Sequence, residues 1–363
     1  MKRIGVHKIA ELAKVSIGTV DRALHGRPGI SEATREKILR IAKKLDYKPH
    51  PAARVLSGGA NVKIGICIPK EIHFFYDQMR SGIFEEAKRV SGLGVEILYA
   101  PVQALGKGEG RVARGLLDRG VSALVLTPGD PDSVSPLINE AEAQNVRVIC
   151  VTTDAPQSDR SSVVCVDPDL NGRLAAELMS KFVGPKAEVA VITGMLATEE
   201  HRLKAEGFCA GFKDECGGGI AAVLEAHESE DESYQKTCEL LSRHPKLAGI
   251  YVSTVNCLPV CKALQQAGGS GHIQLITTDL FAEMVPHLLT GIIRASIYQN
   301  PYLQGQIAVR LLVDNLLNGI AIPHASYLNP SIVLKTNVHL FREAQEGGNV
   351  QPTANRRLVS FVS

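Results

Sequence analysis

The sequence predicts an α/β protein, with a small helical head ahead of a larger, two-lobed body containing two parallel sheets. Three observations point there. The chain has 363 residues, too many for one ordinary core. Its charge is unevenly spread: residues 1–60 hold 13 Lys and Arg against 5 Asp and Glu, while the remaining residues hold 27 against 33. From Val62 onward, apolar runs of strand length alternate with amphipathic stretches of helix length.

Composition narrows the class further. Hydrophobic residues at 45% and charged residues at 21% exclude a disordered chain. No apolar run reaches the ~18 residues of a spanning helix, so no membrane association is expected. Met1–Lys8 is basic, but no apolar stretch follows it as in an export signal. A cytoplasmic chain is therefore expected, its eight Cys reduced and not a disulfide framework.

The head, residues 1–48, carries three short amphipathic patterns. Ile9, Leu12 and Ala13 mark the first, Val20 and Leu24 the second, and Ala33, Ile38, Ile41, Ala42 and Leu45 the third. Ser16 is placed to cap the second helix and Ser31 the third, each hydroxyl accepting from an otherwise unpaired amide. Gly26-Arg27-Pro28-Gly29 breaks the chain between them. Two helices on a tight turn, backed by a third, make a helix-turn-helix. With Val20 and Leu24 inward, Gly18, Asp21, Arg22 and His25 face out. The Arg22 fork suits the two major-groove acceptors of guanine, and Thr19 or a helix N-terminus suits phosphate. The same pattern also fits a three-helix interaction domain with a basic face.

Residues 49–60 form a linker. Ala52–Leu56 amounts to little more than one helical turn, unstable alone in water. It needs a second copy or a DNA groove against it, and Leu56 is the kind of apolar wedge that enters a minor groove. The alternative is a plain connector with Leu56 packed on the body.

The motif Ile9-Ala10-Glu11-Leu12-Ala13-Lys14-Val15-Ser16-Ile17-Gly18-Thr19-Val20-Asp21-Arg22-Ala23-Leu24 resembles the headpiece of the lactose/galactose repressor family (LacI/GalR). Thr34–Ile38, Leu45–Pro49 and Ala53–Leu56 follow it in the order and spacing of that family. The resemblance implies a homodimer on double-stranded operator DNA. It places Ser16, Ile17, Gly18, Thr19, Arg22 and His25 at the major groove, with Ala53 and Leu56 of a paired hinge helix in the minor groove. Asp21 stands where the family usually has a phosphate-contacting Ser, Gly18 offers no side chain for readout, and His50 replaces a common Asn.

In the body, residues 61–340, the strand runs are Ile64–Ile68, Val95–Tyr99, Leu124–Thr127, Val148–Val151, Val163–Val166, Val189–Thr193, Gly249–Val252, Ile273–Thr277 and Ile292–Ile297. Continuous apolar strands are buried on both faces, as in parallel sheets flanked by helices. Nine runs exceed one doubly wound sheet, hence two lobes, and ligands of such lobes sit at the strands' carboxyl ends. There the sequence places His73–Tyr76, Thr152–Asp154, Glu200–Lys204, Ser253, Thr254 and Asn256, Thr277–Asp279 and Tyr298–Pro301. Acceptors, amides, a cation and aromatic faces at these ends suit the hydroxyls and the apolar face of a sugar. Taken singly, Asp154 and Asp279 are equally good helix caps, and Phe75 and Tyr76 equally good core residues.

The body resembles the type I periplasmic sugar-binding fold that serves as regulatory core in the same repressor family. Val166–Ala175 carries this resemblance, as does Gln299-Asn300-Pro301 with Gly305 and Ala308–Leu312. It implies lobe one over 61–165 and 294–322, lobe two over 166–293 and 323–340, and a tail over 341–363. It implies effector contacts from Phe75, Tyr76, Asp154, Lys204, Ser253, Asn256, Asp279 and Gln299. Lys204 stands where sugar binders usually have Arg, and without the bidentate fork a sugar acid, sugar phosphate or non-sugar metabolite is as open as a neutral pyranose.

Catalytic signatures are missing. There is no phosphate-binding G-x-x-x-x-G-K-[ST] loop and no G-x-S-x-G elbow. Cys257, Cys261 and His201 are poor zinc candidates and read as core residues. Gly217-Gly218-Gly219 and Gly268-Gly269-Ser270-Gly271 read as loops. No cofactor, metal or enzymatic activity is expected. The expected function is a DNA-binding transcriptional regulator, in the main a repressor, controlled by a sugar-like metabolite between the lobes. The rival is a solute-binding or sugar-processing protein with an accessory basic head.

Overall fold

The computed structural model describes residues 6–24, 28–45, 62–268 and 271–341. The head holds α1 (Val6–Ala13), α2 (Ile17–Leu24) and α3 (Glu32–Lys44). Ile9, Ala10, Ala13, Val20, Ala23, Ile38 and Ala42 close a small core. Ser16 and Ser31 accept from the backbone N–H of Thr19 (3.2 Å) and Thr34 (3.3 Å), as their positions suggested. Lys37 ties α3 to α1 by donating to the Ala13 carbonyl at 2.9 Å. Leu12 differs from its reading as a core residue: it is 46% exposed, and Ala10 takes the inward place. The linker with its expected hinge helix lies outside the described residues, as does nearly all of the tail.

The body contains two six-stranded sheets. In the first, β1 (Val62–Cys67), β2 (Val95–Tyr99), β3 (Ala123–Leu126), β4 (Arg147–Val151), β5 (Ser162–Val166) and β11 (Ala325–Leu328) lie in the order β11-β5-β4-β3-β1-β2. In the second, β6 (Glu188–Thr193), β7 (Gly219–Glu225), β8 (Leu247–Val252), β9 (Gln274–Thr278), β10 (Ile293–Tyr298) and β12 (Ser331–Val333) lie in the order β12-β10-β9-β8-β6-β7. All pairings are parallel except β10 with β12. The two sheets share one winding. The order reverses beside β1 in one lobe and β6 in the other, and such switch points open crevices at the strands' carboxyl ends.

Helices α4 (His73–Val90), α5 (Glu109–Leu117), α6 (Pro131–Ala143) and α12 (Pro301–Asn318) belong with the first sheet, and α7 (Pro168–Phe182), α8 (Glu199–Cys216), α9 (Glu230–Arg243), α10 (Cys257–Gln266) and α11 (Val285–Thr290) with the second. Each lobe has one very close helix crossing. A Cβ on Gly82 of α4 would lie 2.0 Å from the Tyr302 carbonyl of α12, and one on Gly172 of α7 2.2 Å from the Lys204 carbonyl of α8. Glycine is required at both crossings.

Two expectations need correction. β10 pairs with β9, so residues 294–298 belong to lobe two, and the chain crosses after Gln299. β11 pairs with β5, so 325–328 belong to lobe one, and the chain re-enters lobe two at β12. A strand goes where its ladder partner lies, which an isolated apolar run does not reveal. Likewise Gly219, read as loop, opens edge strand β7.

Candidate functional site

Two surfaces collect the singled-out residues. On the head, Ser16, Ile17, Gly18 and Arg22 are exposed and Thr19 is half-buried along the capped start and outer face of α2. Ile17 is 44% exposed, high for a large apolar side chain. His25, Ala53 and Leu56 lie outside the described residues.

The second surface is a cavity between the lobes. Lobe one contributes an apolar wall: Ile72, Phe75 and Tyr76 at the start of α4, Leu105 after β2, with Thr152 after β4. Lobe two contributes a charged wall: Glu200, His201 and Lys204 on α8, Glu228 after β7, Thr254 and Val255 after β8, Asp279 after β9 and Gln299 after β10. The free space is about 30 Å³, room for a water or two, so a sugar-sized ligand enters only with the lobes further apart. Contacts across the lobes hold this closed arrangement. Thr198 donates to the Gly129 carbonyl at 2.6 Å, the Glu200 N–H to the Thr153 hydroxyl at 3.2 Å, and the Gln78 amide to the Leu280 carbonyl at 3.0 Å. Phe74 stacks on Phe281 at 4.1 Å.

Of the eight expected effector contacts, the structure brings Phe75, Tyr76, Lys204, Asp279 and Gln299 onto this one cavity. Three stand off it. Asp154 forms a two-pronged ion pair with Arg160, whose own side chain is 5% exposed, and so faces into lobe one. Ser253 is spent internally: its hydroxyl donates to Thr193 at 2.7 Å and its carbonyl accepts from Lys204 at 2.5 Å. Asn256 donates to Glu228 at 3.2 Å and positions that carboxyl instead of meeting the cavity. The cavity also takes in Ile72, Leu105, Thr152, Glu200, His201, Glu228, Thr254 and Val255, which the resemblance does not imply. Glu200, His201, Thr152 and Thr254 belong to the strand-end runs of the sequence, whereas Glu228 follows β7, which no continuous apolar run marks.

The backbone around the cavity is unusual. Ile72, Thr152, Glu228 and Asp279 line it with φ of +56°, +70°, +55° and +67°, and His227 and Asn300 beside it are also left-handed. A β-branched residue in that region is a genuine outlier, and such strain gathers where a side chain must be aimed.

The charges are tightly arranged. Lys204 Nζ lies 2.5 Å from Glu200. Burial alone would lower its pKa, but Glu200, Tyr251 and Asp279 outweigh burial and hold it above its ordinary value. Burial pushes Asp279 up to about 6 against the pull of Lys204 and of two hydrogen bonds from Gln299, from its backbone N–H at 3.1 Å and its amide at 3.0 Å. Burial pushes His201 down to about 4, although Glu200 pulls the other way. Its Nδ1 accepts from the Met195 N–H at 3.0 Å, which assigns the proton to Nε2, 3.5 Å from both Glu200 and Glu228. Burial, reinforced by Glu200, pushes Glu228 up to about 8.

A raised carboxyl binds its proton more tightly in the folded chain than in the unfolded one. The stability contributed by Glu228 is therefore full below about pH 4.5 and is lost as pH rises toward about 8. Glu228→Gln should remove this slope and stabilise the ligand-free protein at pH 8 by a few kcal/mol, on the order of what such a shift carries. Thermal unfolding from pH 5 to 9 checks it, and parallel curves for the two proteins would contradict it.

Among the described residues, no cluster of three His, Cys, Asp or Glu is placed to hold a metal ion, and no helix is long and apolar enough to cross a membrane. All eight cysteines are unpaired.

Comparison with known proteins matches the head and the body separately. Residues 6–50 match the model for bacterial regulatory proteins of the lacI family, and residues 64–320 match that for the periplasmic binding protein domain. Catabolite control protein A of Staphylococcus epidermidis is 23% identical, covering 96% of this chain and 99% of its own length. The ribose operon repressor of Halalkalibacterium halodurans is 24% identical, over 86% and 90%. In structure, the body is similar to GanP, a glucose-galactose binding protein from Geobacillus stearothermophilus, with a TM-score of 0.71 and 26% identity over 77% of this chain and 99% of that one.

Proposed function

The chain belongs to the periplasmic binding protein domain family and, through its head, to the lacI family of bacterial regulatory proteins, and on that premise we propose that it is a transcriptional repressor whose operator affinity is set by a sugar-like effector in the interlobe cavity. The observation that carries the reading is the presence, in one chain, of a capped helix-turn-helix with an exposed Arg22 and a cavity built from both lobes. The head alone fits many DNA-binding proteins, and the body alone fits a solute-binding protein. Together they favour regulation over transport. No catalytic role is proposed for any residue.

In this reading the protein works in the cytoplasm as a homodimer, each α2 in one major-groove half-site. Ser16, Thr19 and the positive end of α2 hold phosphate, while Ile17 and Arg22 read bases. The Pro49–Ser57 segments pair over DNA, with Ala53 and Leu56 at the minor groove. Effector binding changes how the lobes sit, and with them the spacing of those segments. Operator and effector affinities are then reciprocally coupled, by about 1–3 kcal/mol in typical cases.

The test is binding-site selection with the full-length protein, followed by titration of sugars against the selected operator in a gel shift. A palindromic operator whose affinity responds to a sugar is the expected result. Arg22→Ala should relax preference at one half-site base and cost roughly 1–3 kcal/mol. An unaltered selected sequence would remove Arg22 from readout.

A further inference from the structure

Resting on the reading of the cavity as the effector site, the geometry points to the chemical class of the effector. The cavity presents three carboxyl groups, Glu200, Glu228 and Asp279, against one cation, Lys204. Lys204 is already committed, at 2.5 Å each to Glu200 and to the Ser253 carbonyl. Asp279 is satisfied by the two Gln299 donors. Glu228 is different. Its side chain is 4% exposed, its Oε2 accepts from Asn256, and its Oε1 has no hydrogen-bond donor among the described residues.

The groups facing Glu228 bear on the sign of its missing partner. From α8 come Glu200, His201 and Lys204, from the start of α10 Asn256, and across the cleft from lobe one Glu71 and Tyr76. His201 offers its Nε2–H from 3.5 Å, beyond a good hydrogen bond. Only Lys204 is cationic, and Glu200 holds it. An anionic ligand would meet Glu200, Asp279 and Glu71 with only the already paired Lys204 to offset them, and burial would sharpen the repulsion. A protonated amine would complete Glu228 and share Glu200. Opposite stands the apolar wall of Ile72, Phe75, Tyr76 and Leu105, suited to a ring face and tolerant of a nearby cation.

We propose that the cavity takes a small hydroxylated ring bearing a protonated primary amine, an amino-sugar class of ligand, with its ammonium on Glu228 and Glu200 and its ring against Phe75 and Tyr76. Sugar phosphates and sugar acids are disfavoured by the same charges. Because Glu228 must ionise to pair with the amine, binding releases a proton near neutral pH and tightens as pH rises from about 6 until the ammonium begins to lose its own proton, in the ~7.7–8.0 range of an α-amino group.

The experiment uses the full-length protein and measures affinity by thermal shift and calorimetry. The probes are D-glucosamine, D-galactosamine and D-mannosamine, each beside its parent hexose and its N-acetyl form, with gluconate and glucose 6-phosphate as anions. The expected result is that one amine binds about tenfold or more tighter than its parent and its N-acetyl form, as a charge-assisted hydrogen bond implies. That preference should grow from pH 6 to about 7.5 and fall to near parity in Glu228→Gln, whose fold is verified by its own ligand-free unfolding. A parent hexose or an anion binding as well as the amine overturns this inference while leaving the sugar-sensing reading intact. Binding of no compound at all overturns both.

Discussion

Asp279→Asn is expected to abolish the effector response while leaving operator binding by the ligand-free protein unchanged. Asp279 does two things at once. It lines the cavity from lobe two, and its carboxylate receives the backbone N–H and the side-chain amide of Gln299, the residue at which the chain leaves lobe two. Effector contact and lobe crossing thus meet in one carboxylate. Asn keeps the size and tolerates the left-handed backbone that Asp279 adopts, whereas Ala adds a strain of about 1–2 kcal/mol to the loss of the group. Asn removes the charge and one acceptor. The several-fold to hundredfold change in operator affinity expected of a coupled effector should vanish. Anisotropy titration of labelled operator with and without effector reads this directly. A normal response in both Asp279→Asn and Asp279→Ala would move the effector site elsewhere.

The second large effect is steric. Gly172→Ala would set a Cβ 2.2 Å from the Lys204 carbonyl and 2.7 Å from the Phe208 backbone nitrogen. Neither can yield without moving α8. We expect a loss of roughly 3 kcal/mol or more, at the upper end for overpacking. What survives should bind effector poorly, because the displaced turn carries Glu200, His201 and Lys204 into the cavity. Gly110→Ala is the control. It lies in the first turn of α5 with open space around its Cβ direction, so alanine there should be neutral to slightly stabilising. Urea unfolding of the two variants separates these outcomes, and equal stabilities would show that the α7–α8 crossing is looser than its geometry.

Much of this architecture was legible because buried parallel strands are written as unbroken apolar runs. Ile64–Cys67, Leu124–Leu126, Val148–Val151 and Val163–Val166 are fully buried almost throughout, and each was readable. The strands that escaped are edges. β7 is half-exposed along Gly219–Glu225 and opens behind three glycines, while β11 and β12 are four and three residues long. The lobe boundaries slipped with them, since ladder pairing and not local pattern decides where β10 and β11 belong.

The cavity was legible in outline for the same reason: it lies where strands end. Its finer selection was not. Asp154 was a sound candidate until Arg160, six residues on, took both of its oxygens. Thr152, two residues earlier, holds the place on the cavity, turned there by a left-handed backbone that no side chain announces. Glu228 required knowing that β7 precedes it.

The left-handed residues and crowded carboxyls of the cavity work against the fold, as native strain and buried like charges do. Selection for thermal endurance alone would therefore draw replacements to Ile72, Thr152, Glu228 and Asp279 before most other places. The survivors would be hardier and deaf: still able to grip the operator, no longer able to hear the metabolite. Anyone hardening this molecule as a biosensor should shield those four positions and seek gains in its helices and outer loops.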